Sequence, residues 1–329
     1  MIPCHLVDAK LARCQAIRMT GENIVLSPGS LWPQVLARTA HAVACGAQQS
    51  IPTTSQVISD QGVDFLVRIV ANLERKRAAR DPSEIGARAA VGSPNPFLPY
   101  DENLFVANLS PSHLCLLNKF NVVDHHLLIV TRTFEDQESL LTLRDFDAMW
   151  TCMAEGQWLA FYNSGEIAGA SQPHKHLQLV PLPLADRGAP VPIEPLLPRL
   201  AAGTLGTAAT LPFAHALVMD DFSAQHPAQA AEITLQHYHA MLRTLSLLGP
   251  APPSQAPPTA ESPVAPYNLL VTTRWMLLVP RAEEFFDTIS VNALGFAGAL
   301  LARNEHERAV LENHGPMTIL EHLGVGTRD

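Results

Sequence analysis

The chain has 329 residues, 47% of them hydrophobic and only 16% charged, enough apolar material for a substantial core in one large domain or two smaller ones. A net charge of -9 excludes a general nucleic-acid binder, which needs a basic face to neutralise backbone phosphates, but allows a local basic pocket. Five cysteines (Cys4, Cys14, Cys45, Cys115, Cys152) lie far apart without a C-x-x-C pair, and read as reduced thiols of a cytoplasmic protein. Asp8, Lys10 and Arg13 come too early for a signal peptide, and no run approaches the ~20 apolar residues of a membrane span.

In chain order, residues 4–47 are expected to be mostly helical, from the i, i+1, i+4 spacing of Leu31-Trp32 and Val35-Leu36, with Gly46 as the stop. A strand is expected at 65–73, followed by the basic run Glu74-Arg-Lys-Arg-Ala-Ala-Arg80. Such a run is usually a solvated face; its sharper reading is a phosphate-contacting loop, with Lys76 as the best candidate. Pro94, Pro96 and Pro99 break the pattern before an antiparallel pair at 114–119 and 126–131, connected through 121–124. Leu140, Leu141, Leu143 and Phe146 give helical spacing to 136–153, and a strand follows at 158–163. The order strand, strand, helix, strand, loop, strand points to an α+β unit with an antiparallel sheet.

Residues 181–212 are rich in Pro, Ala and Gly and read as a crossover, with a short helix at 194–201. The second half then repeats the first: strand 214–219, helix 228–248, strands 267–272 and 275–280. Aligning Val180-Pro181 with Val279-Pro280 sets His176 opposite Trp275, and Tyr162-Asn163 has a match in Tyr267-Asn268, so the second copy reads as having lost its histidines. Residues 249–266 contain seven prolines and read as an extended or disordered insertion. The tail 290–323 has helical spacing at Leu294, Phe296, Leu300 and Leu301. Three segments follow: a helical 1–64, a chemistry-bearing unit at 65–183, and a degenerate unit at 184–329.

The chemistry concentrates in Asn163-Ser-Gly-Glu-Ile-Ala-Gly-Ala-Ser-Gln-Pro-His174-Lys-His176-Leu-Gln178. On a strand, His174, His176 and Gln178 share one face. The small residues Gly169, Ala170 and Ser171 bring backbone N–H groups beside them. A neutral imidazole can attack phosphorus and hold the transferred group covalently. It needs its other ring nitrogen held by an acceptor, and donors for the charge on the phosphate oxygens. His176 suits the nucleophile and Gln178 a donor, with Ser171 and the N–H groups of 169–171 as further donors. The competing readings of H-x-H are unrelated histidines or half of a metal site. Zinc would need further ligands, and no companion motif is evident, so no protein-bound metal is expected. His125, His126, His237 and His239 read as structural or surface residues. Spacing alone leaves catalysis and the bland readings both open.

Leu116-Leu-Asn-Lys-Phe-Asn-Val-Val-Asp-His-His-Leu-Leu-Ile-Val-Thr-Arg132, the following helix, and Asn163 to Gln178 resemble the histidine-triad superfamily. The resemblance is greatest to its branch of diadenosine tetraphosphate phosphorylases, also called ATP adenylyltransferases. It extends to Asn95-Pro-Phe-Leu-Pro-Tyr-Asp101, Tyr267-Asn-Leu-Leu-Val-Thr272 and Ser290-Val-Asn-Ala-Leu-Gly-Phe-Ala-Gly298. It implies two histidine-triad-like units, a duplicated antiparallel sheet with helices, in one compact body. It also implies a ping-pong reaction: His176 attacks the α-phosphorus of diadenosine tetraphosphate, ATP leaves, and phosphate releases the adenylyl group as ADP.

By the same resemblance, His174 supports His176, Gln178 is a phosphate ligand, and Asn163, Gly169 and Ser171 lie near the α-phosphate. Asn118 lines the nucleoside pocket and Lys76 meets the distal phosphates; Arg274 is a further candidate phosphate contact. A divalent cation, Mg or Mn, is expected with the nucleotide. The partners are these small molecules, with no nucleic acid and no membrane. The superfamily's hydrolases carry a histidine where Gln178 stands; an amide orients and neutralises but cannot protonate a leaving group, which favours transfer over hydrolysis. The sequence departs from the family in its proline-rich insertion and in Ala170, where some members have a hydroxyl. The rivals are a galactose-1-phosphate uridylyltransferase, whose C-x-x-C metal site is absent, a dinucleoside polyphosphate hydrolase, and a non-catalytic nucleotide-binding protein.

Overall fold

The computed structural model describes residues 23–70, 95–248, 263 and 265–327. Lys76 with its basic run, Cys4, Cys14 and most of the proline-rich insertion lie outside the described residues.

The apolar spacing around Leu31 and Val35 forms helix α1 (Leu31–Cys45), which ends at Gly46. Beyond it the expected helical segment gives way to a hairpin, β1 (Thr53–Asp60) and β2 (Val63–Val70). β1 escapes a hydrophobic-period reading because its residues are polar and mostly solvent-facing, and the expected boundary at 65 falls inside β2. Then come β3 (Phe105–Asn108), β4 (His113–Leu117), β5 (Leu127–Thr131), α2 (Leu143–Met153), β6 (Trp158–Asn163) and β7 (His176–Pro181). Helix α2 starts at Leu143 rather than 136 because Asp145 accepts from the N–H and hydroxyl of Thr142, both at 2.7 Å, a capping box that fixes the first turn. The second half supplies β8 (Thr204–Gly206), β9 (Ala216–Met219), α3 (Pro227–Thr244), β10 (Tyr267–Val271) and β11 (Trp275–Pro280). The expected helix at 194–201 is a single turn, Glu194–Leu196.

The tail also departs from its helical spacing. A two-stranded ribbon, β12 (Phe285–Phe286) and β13 (Ile289–Ser290), precedes a one-turn α4 (Ala293–Phe296). Gly298 then takes φ +90, where a Cβ would lie 2.7 Å from Pro192, and the chain turns into β14 (Ala299–Ala302), parallel to β2. Helices α5 (Glu305–His314) and α6 (Pro316–Leu323) complete it.

Nine strands form one antiparallel sheet in the order β3-β4-β5-β7-β6-β10-β11-β9-β8. The expected duplication is visible in this order: β4, β5, α2, β6, β7 is repeated as β8, β9, α3, β10, β11 about the central β6–β10 contact. Register fixes the correspondence. His176 pairs with Val130 and Trp275 with Met219, so Trp275 does stand in the place of His176. Counting back four residues from Val130 and Met219 matches His126 with His215, so the second copy has kept one histidine.

The expected Tyr-Asn correspondence is corrected. Trp158 pairs with Pro181 and Tyr267 with Pro280, so the counterpart of Tyr267 is Trp158, not Tyr162. Asn268 is instead the cross-strand neighbour of Asn163. The two Tyr-Asn pairs meet; they are not equivalent.

Both faces of the sheet are covered, differently. Leu177, Leu179, Leu269, Met276 and Leu278 point into a core closed by α2 and α3 through Phe146, Met149, Tyr238 and Met241. On the other face, Leu270, Trp275, Leu277 and Val279 of the second unit pack against Phe65 and Val67 of β2 and against Phe296, Leu311 and Leu320 of the tail. The first unit adds Leu159, Phe161 and Val180 of its inner strands to this cluster, while its outer strands carry a separate small one, Phe97, Leu114, Leu116, Leu128 and Val130. His176 and Gln178 lie on this face beside the small cluster, since they pair with Val130 and Leu128.

Candidate active site

Strand alternation brings His176 and Gln178 to one face of β7, with His174 two residues before its first residue. Two asparagine-anchored chains and a backbone carbonyl fix their polarity. Asn95 Oδ1 accepts from the Phe97 N–H (2.9 Å), so its Nδ2 donates to His174 Nδ1 (2.9 Å). His174 therefore carries its proton on Nε2 and donates it to the Thr131 carbonyl (2.8 Å). Burial lowers the pKa of His174, against the favourable carbonyl contacts, and keeps it neutral.

His176 Nδ1 donates to the carbonyl of His174 at 2.8 Å. This leaves the lone pair on Nε2, the state a nucleophile requires. Burial pushes its pKa down to about 4; the His174 carbonyl opposes that shift and the His174 ring adds to it. Phe97 stacks at a tilt, 5.4 Å between ring centres, and helps exclude water.

Gln178 is oriented by a residue that sequence reasoning set aside. Asn118 Oδ1 accepts from the Phe120 N–H (3.1 Å), so Nδ2 donates to His126 Nδ1 (3.1 Å). His126 Nε2 then donates to Gln178 Oε1 (3.0 Å), and the Gln178 NH2 is the end left for a ligand. His126 is buried, not structural filler: burial pushes its pKa down to about 4, against the Gln178 hydrogen bond and with His176 nearby. Asn118 thus reaches the site through His126. Its sequence signal was the Asn-x-Phe spacing shared by 95–97 and 118–120.

Three comparisons with known proteins bear on this arrangement. Residues 21–199 match the family model of the Ap4A phosphorylase N-terminal domain, and residues 209–326 that of the ATP adenylyltransferase C-terminal domain. Diadenosine 5',5'''-P1,P4-tetraphosphate phosphorylase 2 of Saccharomyces cerevisiae is 31% identical over 243 residues, 67% of this chain and 71% of the relative. The chain belongs to the Ap4A phosphorylase family. It is accordingly a nucleotidyltransferase of the ATP adenylyltransferase kind. The crystal structure of yeast Ap4A phosphorylase Apa2 shares the fold, with TM-score 0.71 and 21% identity, covering 92% of this chain and 99% of that one. The same yeast protein in complex with Ap4A gives TM-score 0.70 at 23% identity, over 91% and 98%.

The other family-implied positions fall at varied distances from His176. Asn163 lies beside it: continuing the Phe161–Gln178 register brings Asn163 opposite His176, and Gln137 Nε2 bonds both their carbonyls, at 2.8 and 3.2 Å. Gln137 went unread in the sequence because it sits in irregular chain before α2. It also accepts the His176 N–H (2.8 Å) and so sets where β7 begins. Gly169 has φ +85, and a Cβ there would meet the Val291 carbonyl at 2.9 Å, so this loop position packs directly on the tail. Its N–H and that of Ala170 close onto the carbonyls of Glu166 and Gly165, which corrects the expectation that both are free phosphate donors. Ser171 is exposed on the same loop. Arg274 lies in the β10–β11 turn, past Val271 and at the sheet end opposite Asn163, where its charge acts on Asp221. Its expected phosphate contact does not belong to this site.

Lys175, between the two histidines, points to the other face. Its Nζ donates to Asp145 and to the Leu140 carbonyl, both at 2.9 Å, and to Glu135 at 3.2 Å. Asp145 also accepts from His113 (3.1 Å). Burial would raise the pKa of Asp145, but the His113 bond, Lys175 and Thr142 together hold it well below the usual carboxylate range. This buried pair clamps the start of β7 to the first turn of α2. Among the described residues no group of three or more His, Cys, Asp or Glu could hold a metal ion, and no helix is long and apolar enough to cross a membrane.

Proposed function

We propose that the chain cleaves diadenosine tetraphosphate with phosphate, giving ATP and ADP through an adenylyl group held on His176. The observation that carries this reading is the His176 ring: Nδ1–H anchored on its own strand, Nε2 bearing the lone pair, the imidazole buried neutral beside the Gln178 amide. The yeast phosphorylase of the same fold, crystallised with Ap4A, supports the substrate class.

In the first half-reaction the Nε2 lone pair forms a bond to the α-phosphorus while the bond to the bridging oxygen breaks and ATP leaves. In the second, an oxygen of inorganic phosphate attacks the same phosphorus, the P–N bond breaks, its electron pair returns to Nε2, and ADP leaves. Gln178 NH2 and Asn163 donate to the non-bridging oxygens, and Ser171 borders the same phosphate. Gln178 supplies no proton, and the ATP leaving group requires none. Lys76 meets the distal phosphates in this proposal, and Gly169 lets the loop lie against the tail.

A magnesium or manganese ion is expected to travel with the polyphosphate. Hard divalent cations favour carboxylate oxygen ligands, whereas the groups around His176 are imidazoles and neutral amides, so the protein side of the site does not fit a resident ion. Cys45, Cys115 and Cys152 are unpaired, which supports the cytoplasmic setting.

The test is product analysis after incubation with diadenosine tetraphosphate, with and without phosphate. ATP plus ADP, formed only with phosphate, is the expected result. ATP plus AMP would replace this reading with hydrolysis, and no turnover would replace it with a binding protein.

A further inference from the structure

The polarity of the Asn163 amide is set from the second unit, by a residue that touches no part of the catalytic strand. Arg281, at the end of β11, is 2% exposed and has only donors. Its Nη1 donates to Asn268 Oδ1 (2.7 Å), to the Val291 carbonyl (2.8 Å) and to the Ala168 carbonyl (3.3 Å). A guanidinium cannot accept, so Asn268 must turn its oxygen toward it. The Asn268 NH2 then faces the other way and donates to Asn163 Oδ1 (2.9 Å) and the Ala168 carbonyl (2.8 Å). Asn163 Oδ1 receives a second donor, the Ala293 N–H at the start of α4 (2.9 Å). With its oxygen doubly occupied, the Asn163 amide cannot flip. Its Nδ2, buried and without a hydrogen-bond partner among the described residues, is left on the face of the sheet that carries His176.

We infer that Arg281 and Asn268 are positioning residues for the transfer: through two amides in series they force Asn163 to present a donor, not an acceptor, to the oxygen of the phosphate attacked by His176. This inference rests on the adenylyl-transfer reading above. Hydrogen bonds in such a chain polarise one another, and the cation at its head strengthens the final N–H. An unpartnered buried donor costs stability in the free protein and is relieved by a phosphate oxygen, so the relay also favours the bound state. The degenerate unit has given up its own nucleophile yet still acts on the one that remains.

The decisive variant is Asn268→Asp. An aspartate stays paired with Arg281 but has no NH2 for Asn163: it sets an oxygen against Asn163 Oδ1, which only the Ala293 N–H then holds, so the Asn163 donor loses its fixed position. Phosphorolysis of diadenosine tetraphosphate is expected to lose about 100-fold in kcat, the size of effect seen for one oxyanion donor. In an Asn163→Ala background the same substitution is expected to change kcat less than about threefold, because its effect runs through Asn163. Arg281→Lys, still a pure donor, is expected to keep activity within about tenfold of wild type. Binding of AMP, which presents one phosphate to the site, is measured in parallel and is expected to weaken about tenfold or more in Asn268→Asp. An unchanged kcat in the single variant, or an undiminished loss in the Asn163→Ala background, overturns the relay. If wild-type protein shows no phosphorolysis, the adenylyl-transfer reading fails by itself, and unaltered AMP affinity in the variant would overturn the relay separately.

Discussion

The two units of the sheet share strand order, register and helix placement, yet they put opposite things in the same position. In the first, β7 opens with His176, which lies beside the small cluster around Phe97. In the second, β11 opens with Trp275, packed among Leu277, Phe213 and the tail helices, its indole N–H donated to Glu194 at 2.9 Å. Gln178 has its counterpart in Leu277, and His126 in His215, which turns inward to the Phe213 carbonyl (2.7 Å). The duplicated scaffold separates two demands that conflict in one place. A reactive, desolvated face needs polar groups held with one end open, whereas stability needs apolar side chains packed shut. One copy meets each.

If that division is correct, the largest functional effect belongs to His176. His176→Ala is expected to lower phosphorolysis by at least about 10^4-fold and to abolish acid-labile adenylated protein, with thermal stability nearly unchanged. Retained labelling on another residue would move the nucleophile. The mirror-image experiment is Trp275→Ala. Removing this buried indole is expected to cost about 3–5 kcal/mol of stability, read as a lower Tm, while kcat of the folded protein stays within about threefold. A large kcat loss at intact stability would break the comparison.

A smaller effect is expected for His126→Leu, which fills the same space but leaves the Gln178 amide free to rotate. The loss in kcat should be about 10- to 100-fold with little change in Tm, since misorientation rather than packing is altered. The pH dependence sharpens the same point. His126 and His176 both have folded pKa values pushed down to about 4 by burial. His176 therefore stays unprotonated as pH falls toward about 4, and the acid limb of kcat/KM should lie nearer 4 than the 6.5 of free imidazole. In the same window the unfolded chain binds protons that the folded chain refuses, so stability should fall as pH drops from about 6.5 toward 4. A thermal midpoint flat across that range would contradict the buried, neutral state of both rings.

The alternation His174, His176, Gln178 was legible because a strand's period of two is written directly in the sequence. So was the duplication, because β10 and β11 repeat the apolar runs of β6 and β7. What stayed hidden were contacts between distant strands. His126 looked like half of an unremarkable pair until β5 was laid beside β7, and Gln137 sits in irregular chain with no period. Asn268 was misplaced for a definite reason: a shared Tyr-Asn suggested equivalence to Asn163, while register made the two residues neighbours. Arg281 carried no motif at all. The tail misled similarly, since Leu294 to Leu301 fits a helix until Gly298 turns the chain into β14.

The central claim is that the adenylyl group passes through His176. It is tested most directly by mixing the protein with diadenosine tetraphosphate without phosphate, quenching in alkali, where a phosphoramidate survives, and mapping the adduct by peptide mass spectrometry. The expected result is an AMP adduct on His176, formed together with one equivalent of ATP and discharged as ADP when phosphate is added. An adduct on a different residue, or full phosphorolysis with no adduct at any time, would contradict it.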